Sequence, residues 1–296
     1  MIKGVYTAAV TPFGEDGKID FPALGKFLDA QIAAGVDGLV LLGTTAETAT
    51  LTAQEKDELL HFAVKRIDKR VKIIIGTGAN STAQTVENTK AVLPYRPEAA
   101  LVVTPYYNKP NPGGLIAHYK EVAKAGLPVV VYHIPGRTGL KVPMNVMSKL
   151  LAEVPEIVGV KESDYDMAHV TDMAVRYSNK LSYLCGNDDL FPQYLAINAA
   201  GIISAAGNVF APAFVSIYKD FQAGDTHRAF TTFAKLYPFI KACYLETNPT
   251  CIKYMLSRLG VCGGALRLPL AEIDADTKTK IDALLQNADK DLFIQH

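Results

Sequence analysis

The sequence predicts an α/β fold, a (β/α)8 TIM barrel with a C-terminal helical extension, and three observations carry that reading. Short β-rich runs alternate with longer amphipathic runs, eight times over about 220 residues, which is the number and size that such a barrel needs. The Gly-rich nucleotide turn expected after the first strand of a doubly wound sheet, the structural rival, is missing. Beyond residue 224 the strand signal stops and helical patterns alone remain. The expected organisation is therefore a (β/α)8 barrel over 1–224 and a helical extension over 225–296 packed on it.

In chain order the strand-like runs are "GVYTAAV", "GLVLLG", "VKIIIG", "AALVVT", "LPVVVY", "EIVGVK", "LSYLCG" and "GIISAA". Helical patterns fall between and after them, at roughly 20–34, 53–68, 81–93, 113–125, 143–152, 167–178, 189–198 and 211–222. Thr52 precedes Glu55 at capping-box spacing, which marks the start of the second helix. The tail reads as three further helices, "THRAFTTFAKLYPFIKACYLE", "PTCIKYMLSRLG" and "PLAEIDADTKTKIDALLQNA", each too short to fold alone.

Composition narrows the function classes. Apolar residues make up 49% of the 296, enough for a sizeable core. Thirty basic residues balance thirty acidic ones, so there is no electrostatic footprint for nucleic acid or an anionic membrane. Cys185, Cys243, Cys251 and Cys262 form no CxxC pair, which favours reduced, buried thiols. The start "MIKGVYTAAVTPF" does not read as a signal peptide, and no segment approaches a membrane span. These features predict a cytoplasmic protein that tolerates self-association.

Barrel chemistry gathers at the C-terminal ends of the strands. Those ends read "GTTAET", "TPYYN", "YHIPGRTG", "KESD", "GNDD" and "SAAGN", supplying hydroxyls, phenols, one arginine and one lysine. There is no GxSxG elbow and no phosphate-binding GxxxxGK loop; "GTGANS" is a weak signal. Scattered histidines without HxH or HExxH spacing argue against a metal. Asp188 and Asp189 read as helix-opening acids, and Glu47 as a first-turn acid.

Lys161 then stands out, because an apolar run ends on it. Ile157, Gly159 and Lys161 share one strand face. The plain reading is a strand-end lysine whose ammonium reaches water. The sharper one is an amine aimed into a pocket that Gly159 helps keep open, neutral because burial disfavours its charge, and able to form an imine with a ketone. Imine chemistry needs a proton shuttle, for which hydrogen-bonded tyrosines are suited.

"GTTAETATL", "TPYYN", "YHIPGRTG", "GVKES" and "NPTCIK" together resemble the dihydrodipicolinate synthase and N-acetylneuraminate lyase superfamily, closest to its dihydrodipicolinate synthase branch, over essentially the whole chain. The resemblance implies a pyruvate-dependent class I aldolase. It makes Lys161 the Schiff-base lysine and Tyr132 the general acid/base. Thr44 would link Tyr132 to Tyr107 in a proton relay, and Thr45 would bind the pyruvate carboxylate with the Thr44 backbone. Gly186 and Ile203 would line the pocket through backbone groups. Tyr107 would reach a neighbouring subunit, implying a homo-oligomer, a dimer or dimer of dimers. No cofactor is expected beyond the covalent imine between Lys161 and pyruvate.

Arg137 decides the branch. It matches the arginine that takes the carboxylate of L-aspartate 4-semialdehyde, and a guanidinium offers a carboxylate a bidentate fork. The implied reaction is condensation of pyruvate with that aldehyde, toward diaminopimelate and lysine. The alternatives are another pyruvate-dependent aldolase or dehydratase, acting on sialic acid or a 2-keto-3-deoxy sugar acid, and a non-catalytic keto-acid-binding barrel. Three departures from the family pattern are Ala46 for Gly, His133 for Asn and Thr48 for Ser. The family's lysine-effector site matches Ala49, Asn80, Gln84 and Tyr106, with Ala53 and Lys56 where some members have histidine. Gln84 replaces a glutamate, so weak or absent inhibition by L-lysine is expected.

Overall fold

Each of the eight strand runs forms a strand. In a computed structural model, which describes residues 1–286 and 288–295, the chain runs β1 (Gly4–Ala8), α1 (Phe21–Ala33), β2 (Gly38–Leu41), α2 (Ala53–Ile67), β3 (Lys72–Gly76), α3 (Thr82–Ala91) and β4 (Ala99–Val103). It continues with α4 (Pro112–Ala123), β5 (Val129–His133), α5 (Pro135–Thr138), α6 (Met144–Glu153), β6 (Ile157–Glu162), α7 (Met167–Tyr177), β7 (Ser182–Cys185), α8 (Phe191–Ala196) and β8 (Gly201–Ser204). Four helices follow: α9 (Gly207–Gln222), α10 (Thr226–Cys243), α11 (Thr250–Arg258) and α12 (Ala275–Gln286). The strands close in sequence order, β1 through β8, into one parallel barrel. The expected last helix also covered Asn287, which lies outside the described residues.

The chain divides into two compact units. The first comprises Met1–Lys3 and Ile73–Ile203. Its strands β4, β5 and the start of β7 are almost wholly buried, as parallel strands covered on both faces must be. Helix starts are capped by side chains placed for the purpose: Ser81 accepts from Gln84 N–H, Asn111 from Gly114 N–H, and Asp166 from Ala168 and His169 N–H. One irregularity stands out. The β5–β6 register slips between Val129 and Val130, then continues regularly to His133↔Glu162.

The second unit comprises Gly4–Lys72 and the chain from Ser204 onward. Thr52 and Glu55 form the expected capping box at the start of α2, and Asp68 ends that helix in the left-handed region. Helix α9 packs on β1, α10 and α11. It begins at Gly207, four residues before the expected start, with a kink at Phe210 (φ −117°) just ahead of Pro212. Phe210, Phe239 and Phe293 pack ring to ring beneath it, at centroid separations of 5.2–5.9 Å. Among the described residues no helix is long and apolar enough to cross a membrane.

Candidate active site

The first unit brings three of the sequence-picked residues together. Lys161 is the penultimate residue of β6, and its register partner on β5 is Tyr132. Both are buried, and the Lys161 Nζ lies 4.2 Å from the centre of the Tyr132 ring. Gly186, just past β7, is the third. A side chain there would lie 2.1 Å from Ser163 Oγ, 2.9 Å from the Glu162 carbonyl and 3.1 Å from Lys161 Cε. The absence of a side chain at Gly186 therefore clears the space around the lysine stem.

Gly159 does something else. A Cβ at that position would meet the Ser182 carbonyl at 2.8 Å and Ser182 Cβ at 3.1 Å, so Gly159 lets β7 approach β6 rather than opening a pocket for Lys161. That corrects the reading of Gly159 made from strand alternation.

Arg137 lies on the single turn of α5, exposed, one residue before the buried Thr138, whose hydroxyl donates to the Ile134 carbonyl. This short helix follows β5 directly, and Gly139 closes it at φ 66°. Tyr107 follows β4; it is 88% exposed and held at φ 72°, an uncommon conformation for a bulky residue. Ile203 is buried in β8. Asn108 joins two of the effector positions, donating its side-chain N–H to the Asn80 carbonyl and its backbone N–H to the Tyr106 carbonyl. Gln84 is exposed on α3, bonded to Glu87 and Asn88.

The second unit carries Thr44 and Thr45 on a 3-10 turn, Thr44–Ala46, after β2. Ala46 sits within that turn, and the left-handed conformation falls on Glu47 (φ 54°). The substitution of Ala for Gly thus adds no strain at position 46. Thr11 donates its hydroxyl to the Ala46 carbonyl, and Asn248 donates to the Thr45 hydroxyl at 3.0 Å. Ala49 is exposed on the next 3-10 turn, Thr48–Thr50.

Glu47 is not a first-turn acid. It is buried between the two turns, its Oε1 2.6 Å from the Nζ of the fully buried Lys253 on α11. Its Oε2 accepts the backbone N–H of Arg267 at 3.0 Å. Burial pushes the Lys253 ammonium below the ordinary lysine value, with the Glu47 carboxylate pulling the other way. The Arg267 guanidinium continues the network to Glu55, the Gly17 carbonyl and the Thr50 carbonyl. Sequence reasoning missed this network, although "NPTCIK" contains both Asn248 and Lys253.

Histidine spacing also gave no hint of His133, Glu162 and His169, whose side chains meet closely enough to suggest a cation site. The hydrogen bonds argue against one. Val142 N–H donates to His133 Nε2 at 3.1 Å, so that nitrogen carries no proton and Nδ1 carries one. Nδ1 donates it to Glu162 Oε1 at 2.8 Å, which leaves His133 no lone pair for a metal.

The dihydrodipicolinate synthetase family profile matches residues 1–288. The chain belongs to that family. A 4-hydroxy-tetrahydrodipicolinate synthase of Thermodesulfovibrio yellowstonii is 38% identical over 289 residues, covering 97% of this chain and 99% of the relative. The crystal structure of dihydrodipicolinate synthase from Aquifex aeolicus superposes with a TM-score of 0.94 at 35% identity, each chain covered completely. The enzyme from Acinetobacter baumannii, solved in complex with pyruvate, gives a TM-score of 0.93 at 33% identity, with 97% of this chain and 98% of that one covered. Both solved structures thus share their fold with nearly the whole of this chain.

Proposed function

We propose that this chain is a 4-hydroxy-tetrahydrodipicolinate synthase, condensing pyruvate with L-aspartate 4-semialdehyde in the diaminopimelate and lysine pathway. The observation that carries the reading is the buried Lys161–Tyr132 pair at the C-terminal ends of β6 and β5, in a member of this family. Full-length relatives bearing that enzyme's name support it.

The Lys161 amine attacks the pyruvate carbonyl carbon, and loss of water leaves an imine. Removal of a proton from the methyl group then gives an enamine, which bonds to the aldehyde carbon of the second substrate while the aldehyde oxygen takes up a proton. The substrate's own amino group displaces Lys161 from the imine carbon, closing the ring and freeing the enzyme. Tyr132 moves the protons as general acid/base, relayed through Thr44 and Tyr107. Thr45 and the Thr44 backbone hold the pyruvate carboxylate, and Gly186 and Ile203 line the pocket with backbone groups. Arg137 holds the carboxylate of the semialdehyde. No separate cofactor takes part. Tyr107, exposed on its own chain, reaches the site of a neighbouring subunit, so the working form is a homo-oligomer, at least a dimer, in the cytoplasm.

The test is a coupled assay of pyruvate with L-aspartate 4-semialdehyde beside a sugar-aldehyde control. Turnover with the semialdehyde alone supports the reading, and Arg137→Ala should then raise its KM while leaving that of pyruvate unchanged. Preference for the sugar aldehyde would refute it.

A further inference from the structure

The strands that carry Lys161 and Tyr132 carry a second cross-strand pair one residue further on. β5 and β6 align Tyr132 with Lys161 and His133 with Glu162. Adjacent residues of a strand face opposite sides, so the second pair points away from the first. It is completely buried, and its Nδ1–H to Oε1 hydrogen bond fixes the position of one strand against the other. Asp164 N–H donates to the same carboxylate oxygen at 2.8 Å. The other oxygen, Oε2, faces His169 Nε2 from α7 at 3.7 Å, close enough for an ion pair and too far for a hydrogen bond. Neither of those two buried atoms has a hydrogen-bond partner among the described residues.

A carboxylate and two imidazoles behind a barrel strand are costly unless they are paired, where aliphatic side chains would pack without penalty. The β5–β6 register supplies a reason for them. It slips at Val129/Val130, and such a slip re-aims the side chains that follow. The His133–Glu162 bond comes after the slip and holds the next slot to Tyr132 and Lys161.

We propose that His133 and Glu162 are positioning residues that lock the register in which Lys161 meets Tyr132, and that His169 tightens the lock when it is protonated. This rests on reading Lys161 as the Schiff-base lysine.

The charged surroundings agree with the geometry. Burial raises the Glu162 carboxyl, but its contacts with His133 and His169 outweigh this and hold it below the ordinary value. The Glu162 carboxylate raises His169 above its ordinary value, against its burial; Asp164 adds to the effect and Lys141 opposes it. The His133 ring lies 5.5 Å from that of His169, and burial, with the Glu162 charge adding to it, keeps Tyr183 on β7 protonated, its hydroxyl donating to the Val170 carbonyl. Since His169 is raised, its pairing with Glu162 is complete below the ordinary histidine range near 6.5 and is lost as pH rises through the raised value.

The experiment follows the rate at which borohydride traps a pyruvate adduct on Lys161, by mass spectrometry, at saturating pyruvate. Glu162→Gln and His133→Leu should slow trapping by at least about tenfold, as small misplacements of reacting groups do, with half-saturation by pyruvate unchanged. His133→Asn, which keeps a donor, should restore part of the rate. The ratio of wild-type to His169→Gln rates should be greatest at low pH and fall toward one as His169 titrates. Wild-type trapping rates in Glu162→Gln and His133→Leu, or a ratio independent of pH, would overturn the proposal. Should Glu162→Gln fail to fold, His133→Leu and His169→Gln, which leave the carboxylate in place, decide it by the same criteria. If the wild-type protein itself forms no adduct, the failure belongs to the reading of Lys161.

Discussion

The Lys253 ammonium lies 2.6 Å from the Glu47 carboxylate, and both side chains are buried, although they stand 206 residues apart in sequence. Through this pair and the Asn248–Thr45 hydrogen bond, the segment around α11 holds the turn that bears Thr44 and Thr45. Removing one partner strands the other charge inside the protein. Lys253→Met should therefore cost about 3–5 kcal/mol in urea unfolding, and the double variant Lys253→Met/Glu47→Gln should recover much of that loss. A loss in the double variant equal to the sum of the losses in Lys253→Met and Glu47→Gln alone would show that the pair is not coupled.

Gly186 gives a prediction of a different kind, because the space it leaves is measured. In Gly186→Ala the new methyl meets Ser163, the Glu162 carbonyl and Lys161 Cε all at once. Ser163 Oγ can rotate away, but the backbone carbonyl cannot. Lys161 should be displaced and turnover reduced on the order of a hundredfold, with the fold intact by circular dichroism. Activity within twofold of wild type would mean that the lysine does not need this space.

The fold was legible because the repeat is strong: each of the eight strands is a short apolar run, and several helices carry a local start signal of their own, as at Thr52 and Asn111. The single turn of α5 is too short to have a period, and the first turn of α9 lies before a kink with no side-chain cap. The site was legible only as far as strand ends go. Which glycine clears room for Lys161 depends on the neighbouring strand, which sequence alternation does not include. Glu47 and His133 depend likewise on partners supplied by α11, β6 and the loop at Val142.

His118 predicts an acid-side loss of stability. It is buried on α4 with Nδ1 3.0 Å from the Thr82 hydroxyl, and burial lowers its pKa to about 4. The unfolded chain therefore binds the extra proton first, and stability falls as pH drops from the ordinary histidine value near 6.5 toward 4, by up to about 3 kcal/mol. His118→Gln should flatten that part of the stability profile in chemical denaturation at stepped pH. An unchanged slope would contradict the assignment.

L-Lysine should inhibit weakly or not at all. Gln84 offers no carboxylate to a cationic effector, and Lys56 brings a like charge. A lysine titration of the purified enzyme checks this, and strong inhibition below a millimolar would contradict it.

The central claim is that Lys161 forms an imine with pyruvate. Incubation with pyruvate and sodium borohydride, followed by peptide mass spectrometry, tests it most directly. The account predicts one reduced pyruvate adduct on the peptide containing Lys161, absent from Lys161→Ala. An unmodified Lys161 in the active wild-type protein, or an adduct that persists in Lys161→Ala, would contradict it.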